Sequence, residues 1–244
     1  MSNPLTPQGV WITFTERESL YLTLYWITCL LLAFLLLHAI GNRKFKVIIL
    51  RKIFHFLSIL LFVPPIILDW GLDLFVISSV LVLVLMLSLE AFRVLYPKSQ
   101  IAGFLTKFFR PFLDHKDKSS RFITSHIELL LACTGPLIVS RLTGSSFLSQ
   151  IHLLLSGSAT VGIGDSFAAI VGLSASRPHK IMNTGKTIEG TAGFFFSVLL
   201  FNAITGNRPC VAATLAAALT EVFVKNHDNV AIPVAFIVTS YLVE

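Results

Sequence analysis

Residues 153–174 read LLLSGSATVGIGDSFAAIVGLS, an apolar and small-residue run interrupted by one ionisable group, Asp165. The run is long enough to cross a bilayer, since a spanning helix needs about 20 predominantly apolar residues. A carboxylate inside such a helix is costly unless it faces a polar cavity, a metal or a partner. The loop that follows, residues 177–191, reads RPHKIMNTGKTIEGT. It supplies Arg177, His179, Lys180 and Lys186, with Gly185 and Gly190 to let the backbone approach a ligand. A buried acid beside a cationic, glycine-bearing loop suits a phosphate-bearing substrate together with a divalent metal.

The rest of the chain is of the same character. Of its 244 residues, 55% are hydrophobic and only 13% charged. That composition excludes disorder and departs from an ordinary soluble domain. Eight apolar stretches, at about 20–40, 53–69, 71–90, 123–141, 150–173, 190–206, 210–225 and 230–243, predict an all-α, polytopic integral membrane helical bundle of about eight transmembrane helices. A polar segment, 1–19, precedes one membrane-embedded domain, 20–244, with cytosolic loops at 91–122 and 174–189. The first stretch follows mixed charges at Glu16, Arg17 and Glu18 and reads as a permanent span, not a cleaved signal. Pro64-Pro65 is expected to kink or end the second helix. Cys29, Cys133 and Cys210 are far apart and without a CxxC, so neither a zinc site nor a disulfide framework is expected.

The net charge is +6, but the basic residues lie in short loops between apolar runs. That placement argues for membrane orientation and phosphate or lipid contact, not nucleic acid. With the loop at 41–52 placed in the cytosol and the chain alternating from there, only Arg17, Arg141 and Arg208 fall on the opposite side. The positive-inside bias thus supports both the number of spans and their orientation. Within 91–122, Ile101, Phe104, Leu105, Phe108, Phe109 and Phe112 recur at helical spacing around Lys107 and Arg110. This predicts an amphipathic helix on the cytosolic leaflet or packed on the bundle.

Four groups of residues could carry chemistry, all on the cytosolic face. The first is Asp165 with the loop to Glu189; two acids bracketing a basic loop could hold a magnesium ion while lysines hold phosphate oxygens. Gly185-Lys186-Thr187 is not a P-loop, because Lys180 stands where that pattern requires glycine. The second is Arg51-Lys52-Ile53-Phe54-His55, where His55 lies deepest in a span. The third joins Asp114-His115-Lys116-Asp117 to Ser125-His126-Ile127-Glu128, and the fourth joins Glu221 to Asn226-His227-Asp228-Asn229.

Gly164-Asp165-Ser166-Phe167-Ala168-Ala169-Ile170-Val171-Gly172, then Lys180 and Gly185-Lys186-Thr187-Ile188-Glu189-Gly190, resembles the signature of the polyprenol kinases, CTP-dependent lipid kinases. Arg51-Lys52-x-x-His55 matches their early motif, and Asp117, Ser125-His126 and Asp228-Asn229 resemble dolichol kinase, specifically its C-terminal catalytic half. The resemblance covers residues 45–235. It implies transfer of the γ-phosphoryl group of CTP to dolichol, giving dolichyl phosphate for glycosylation, in the endoplasmic reticulum membrane with the active site facing the cytosol. It implies a catalytic set of Asp165, Lys186, Glu189, Arg51, Lys52 and His55. Nucleotide contacts would come from Gly164, Gly172, Lys180, Gly185, Lys186, Thr187, Gly190, Asp228 and Asn229, with Mg2+ or another divalent cation on Asp165 and Glu189. Asp165 is left open between metal ligand and proton acceptor. The alternatives are a kinase of phytol or diacylglycerol, a cytidylyltransferase making a CDP-lipid, and a transporter of an anionic solute.

Overall fold

The structure, a computed structural model, describes residues 17–40, 47–109, 113, 121–144, 150–182, 184–207 and 210–243. The regular elements among them are helices: α1 Arg17–Ile40, α2 Val47–Ile67, α3 Leu72–Leu95, α4 Gln100–Phe109, α5 Ser125–Thr143, α6 Ile151–Leu154, α7 Ser158–Gly164, α8 Asp165–Ser174, α9 Ile188–Ile204, α10 Val211–Phe223 and α11 Asp228–Val243. The fold is an all-α membrane bundle, and each apolar stretch read from the sequence falls on helix, the fifth on α6–α8 together. Two stretches, Arg17–Leu36 and Leu72–Leu95, have the length and composition to cross a membrane unaided. Their outer faces expose Leu24, Leu31 and Phe34 on α1 and Leu81, Val84 and Leu85 on α3. Apolar surface of that extent belongs against lipid. At thirteen residues α10 rises only about 20 Å, short of the about 30 Å hydrocarbon layer. It buries Ala213, Ala217 and Ala218 completely against its neighbours.

The two prolines do not end α2, which continues to Ile67. Pro64 and Pro65 lack the N–H groups that would bond the carbonyls of Leu60 and Leu61. Those two oxygens are satisfied from α1 instead. The Tyr25 hydroxyl donates to Leu60 O at 2.6 Å, and Trp26 Nε1–H donates to Leu61 O at 3.2 Å. In lipid, where no water is at hand, such a replacement is what permits a proline pair within a helix.

The centre of the bundle is the run α6–α8, and its small residues explain its position. A Cβ on Gly157 would stand 2.1 Å from the Ala132 carbonyl oxygen of α5. On Gly162 it would lie 2.8 Å from Ile59 of α2, and on Gly164 2.7 Å from the Phe194 ring of α9. Close backbone approach through small residues is a main source of helix association where lipid tails are as apolar as leucine. The seven residues of α7 wind as a π-helix that ends at Asp165. Such wide turns are rare and concentrate at functional sites.

The amphipathic helix is α4, which packs on the bundle with one face and exposes the other. Ile101, Phe104 and Phe108 form an exposed stripe, while Ala102 is buried and the Phe109 ring stacks on His126 with centroids 4.5 Å apart. A polar clamp fixes the chain on either side of it. Arg93 bonds Glu90 and the carbonyl of Arg121, and Glu90 accepts from Ile123 N–H at 2.6 Å. Phe112 and Arg110 lie outside the described residues.

Candidate functional site

Asp165 begins α8 where the π-helical segment ends, about 15 Å of helix rise from Ser174. At this depth it meets two side chains from the first turns of α2. Lys52 Nζ donates to Asp165 Oδ2, and His55 Nε2 lies 3.2 Å from the same oxygen. The three side chains are only 13%, 5% and 18% exposed, so each charge depends on its neighbours. His55 Nδ1 is 2.9 Å from the carbonyl of Arg51. A carbonyl only accepts, so Nδ1 carries hydrogen and Nε2 is the nitrogen turned to Asp165.

A second ion pair stands beside the first. Lys186 Nζ donates to Glu221 Oε1, and the Glu221 side chain is 3% exposed. Burial disfavours the charged form of Lys186. Glu221 and Asp165 more than offset it and, with Asp228, hold the ammonium above the usual lysine range. The loop that delivers Lys186 is a small hairpin. Ile181 N–H donates to Lys186 O and Ile188 N–H to His179 O, each at 2.9 Å. Gly185 makes the turn at φ +77°, a conformation L side chains rarely adopt. The Thr187 hydroxyl then caps α9 by accepting from Gly190 N–H at 3.1 Å.

Between α8, the hairpin and α10 lies a cavity of about 290 Å³ whose walls include Asp165, Gly172, Lys186, Thr187, Gly190 and Glu221. Gly172 and Gly190 serve its shape through packing. A Cβ on Gly172 would meet Thr187 Oγ1 at 2.9 Å, and one on Gly190 would meet the Ala168 carbonyl at 2.8 Å. The cavity can therefore receive an anionic group on Lys186, beside the carboxylates of Asp165 and Glu221.

The remaining sequence-derived residues fall into two sets. Asn229 is buried at the start of α11, its amide 3.5 Å from the carbonyl of Ser125, and Asp228 stands near enough to act on Lys186. His227 Nδ1 lies 2.7 Å from Glu128, which also accepts from Thr124 Oγ1 at 2.7 Å. The third and fourth groups thus meet at one junction of α5 and α11. Outside the cavity wall lie Lys180, Gly164 and Glu189. Lys180 is exposed, Gly164 packs on Phe194, and Glu189 accepts from His179 N–H and lies 2.6 Å from His179 Nδ1. That contact draws the partly exposed Glu189 carboxyl below the usual range. Residues 114–117 lie outside the described residues. Among the described residues no three His, Cys, Asp or Glu side chains form a ready-made metal site.

Sequence reasoning placed Glu221 in the fourth group but assigned it no specific role. Its signal was the one that marked Asp165: a single acid in an apolar helix, here VAATLAAALTEVF.

Comparison with known proteins follows the same line. The chain is 28% identical to dolichol kinase EVAN of Arabidopsis thaliana over 93% of this chain and 42% of the relative. It is 30% identical to dolichol kinase sec59 of Schizosaccharomyces pombe over 92% of this chain and 48% of the relative. With the dolichol kinase of Saccharomyces cerevisiae the identity is 27% over 79% and 36%. The chain is thus related in sequence, over most of its length, to the dolichol kinases. It spans less than half the length of these curated relatives. No protein-family model matches the chain, and no solved structure does.

Proposed function

We propose that the chain transfers the γ-phosphoryl group of CTP to the hydroxyl of dolichol, releasing CDP and dolichyl phosphate. It would do so from the cytosolic face of the endoplasmic reticulum membrane, supplying glycosylation. The observation that carries this reading is the pairing of Lys52–Asp165–His55 with Lys186–Glu221, whose Asp165, Lys186 and Glu221 wall one small cavity inside a membrane bundle. The family relationship supports the kinase class, and the sequence resemblance supports CTP.

Lys186 and Lys52 would hold phosphate oxygens, with Gly185, Thr187 and the N-terminus of α9 shaping their approach. Asp165 and Glu221 fit a magnesium ion that arrives with the nucleotide. Mg2+ is commonly bound through one or two carboxylates plus substrate phosphates, and both acids face the cavity. Its part is to neutralise charge on the phosphoryl oxygens. Glu189 is a weaker candidate for that role because it is engaged with His179. The alcohol oxygen forms its bond to the γ-phosphorus as the bond from that phosphorus to the bridging oxygen breaks, and CDP leaves with the electron pair. The hydroxyl proton passes to His55 Nε2, and Asp165 stabilises the resulting imidazolium.

The test is to supply membranes containing the full chain with γ-labelled CTP, magnesium and a panel of lipid alcohols. Label is expected in dolichyl phosphate, with CDP as the other product. Pyrophosphate release with cytidine on the lipid would overturn the kinase reading in favour of a cytidylyltransferase. Label preferring phytol or diacylglycerol would overturn the assignment of dolichol.

A further inference from the structure

A second cavity, of about 300 Å³, is lined by His55, whose Nε2 lies 3.2 Å from Asp165 on the wall of the polar one. Its polar lining is Arg51, His55, Ser125 and His126 near the starts of α2 and α5, and Ser58 further along α2, whose hydroxyl donates to the His55 carbonyl at 2.7 Å. From there it descends along α2 to Leu61 and Phe62, about 15 Å of helix rise below Arg51, between Met86 of α3 and Leu129 of α5. Phe108 and Phe109 of α4 also line it. Phe108 is half exposed on the outer stripe of that helix, which places the cavity's edge at the membrane-facing surface. The Glu90–Arg93–Arg121 clamp holds the chain on both sides of α4 and so fixes this wall.

An occupant of this cavity must have a polar end and an apolar body, and its polar end must reach His55. Resting on the kinase reading above, we propose that this cavity seats the first isoprene units of the lipid alcohol. Its hydroxyl lies at His55, and the rest of the chain leaves past Phe108 into the bilayer. His55 then joins an acceptor chamber to the donor chamber, its Nε2 3.2 Å from Asp165 on the donor wall. The arrangement excludes water from the reacting oxygen on the acceptor side, because the deep lining is leucine, phenylalanine and methionine apart from Ser58, whose hydroxyl is taken up by the His55 carbonyl.

The experiment uses the full chain in phospholipid vesicles with a polyprenol carrying a diazirine in its first isoprene units. After photolysis, adducts are mapped by peptide mass spectrometry. Adducts are expected within 57–62 and 129–130, displaced by excess unlabelled dolichol. Adducts confined to the lipid-facing residues Leu81 and Leu85, or cavity adducts that phospholipid displaces as well as dolichol does, would overturn the proposal. This readout needs no turnover. A wild-type protein that binds the probe here yet phosphorylates nothing refutes the kinase reading and leaves the seat standing. As a second arm, Leu129→Trp fills the cavity, and the milder Met86→Phe covers a failure of the first variant to fold. Either should raise the KM for dolichol at least about tenfold while leaving nucleotide affinity unchanged. An unchanged KM in a folded variant refutes the seat.

Discussion

Replacing Asp165 by asparagine should separate the structural from the chemical role of this carboxylate. The side chain keeps its size but loses the charge opposite Lys52, whose side chain is 13% exposed. Removing one partner of a buried pair typically destabilises by about 3–5 kcal/mol, chiefly because the other charge is left uncompensated. Adding Lys52→Met removes that stranded ammonium, so the double variant should recover most of the loss. A coupling of about 3 kcal/mol is expected between the two positions, well above the few tenths seen for independent sites. Activity should behave differently. Losing a charged group that acts on phosphoryl transfer is expected to reduce turnover by about a hundredfold or more, and Lys52→Met cannot restore it. Stability is read as unfolding of the detergent-solubilised protein and activity as label transfer from γ-labelled CTP. A double variant as unstable as Asp165→Asn would refute the pairing. A folded Asp165→Asn protein with near-normal transfer would refute the chemical role.

Other consequences are more local. Trp26→Phe and Tyr25→Phe each leave one proline-freed carbonyl without its donor and should cost about 1–3 kcal/mol of stability, additively, with unchanged nucleotide affinity; no loss in unfolding measurements would refute the α1–α2 link. The contact of Glu189 with His179 draws its carboxyl below the ordinary value of 4.5. The contact therefore stabilises the loop fully above that value and is lost as pH falls through the lower folded value. Glu189→Gln should remove this acid-side limb from a pH profile of nucleotide binding, while an unchanged limb assigns it elsewhere. Cysteines introduced at Thr143 and Ser176, which end α5 and follow α8, should react with an impermeant thiol reagent from opposite sides of the membrane; labelling from one side refutes the alternating topology.

The helices were legible because each apolar stretch announces itself by length, and short-range composition is all that such a reading needs. Asp165 and His55 were legible for the complementary reason: an ionisable group inside an apolar run requires a partner. What the sequence does not disclose is pairing. Lys52 and Asp165 are 113 residues apart, and Lys186 and Glu221 are 35 apart. No periodicity connects them. The continuation of α2 through Pro64-Pro65 was hidden for the same reason, since the donors that permit it stand on another helix. The glycines were visible, but their use was not. Gly190 looked suited to ligand approach, yet the carbonyl of Ala168 occupies the space its side chain would take.

On the kinase reading, the two lysine–acid pairs also set how nucleotide and metal must bind. In the resting protein Lys52 is matched by Asp165 and Lys186 by Glu221, which makes their burial tolerable. A triphosphate entering alone would draw on the lysines and leave both carboxylates facing phosphate oxygens. Two like unit charges about 4 Å apart repel by about 4 kcal/mol at an effective dielectric of 20, so one such contact weakens binding by up to roughly a thousandfold. A divalent cation entering with the nucleotide would be held by Asp165 and Glu221 and would offset that repulsion, leaving Lys52 and Lys186 to the phosphate oxygens. CTP affinity in the full chain, measured without turnover by competition with a fluorescent analogue, should therefore fall steeply on chelation. The fall should shrink in Glu221→Gln, where one of the two repelling charges is gone. Equal affinity with and without divalent cation would show that Asp165 and Glu221 do not face the phosphates, and the donor chamber would then have to be sought away from this cavity.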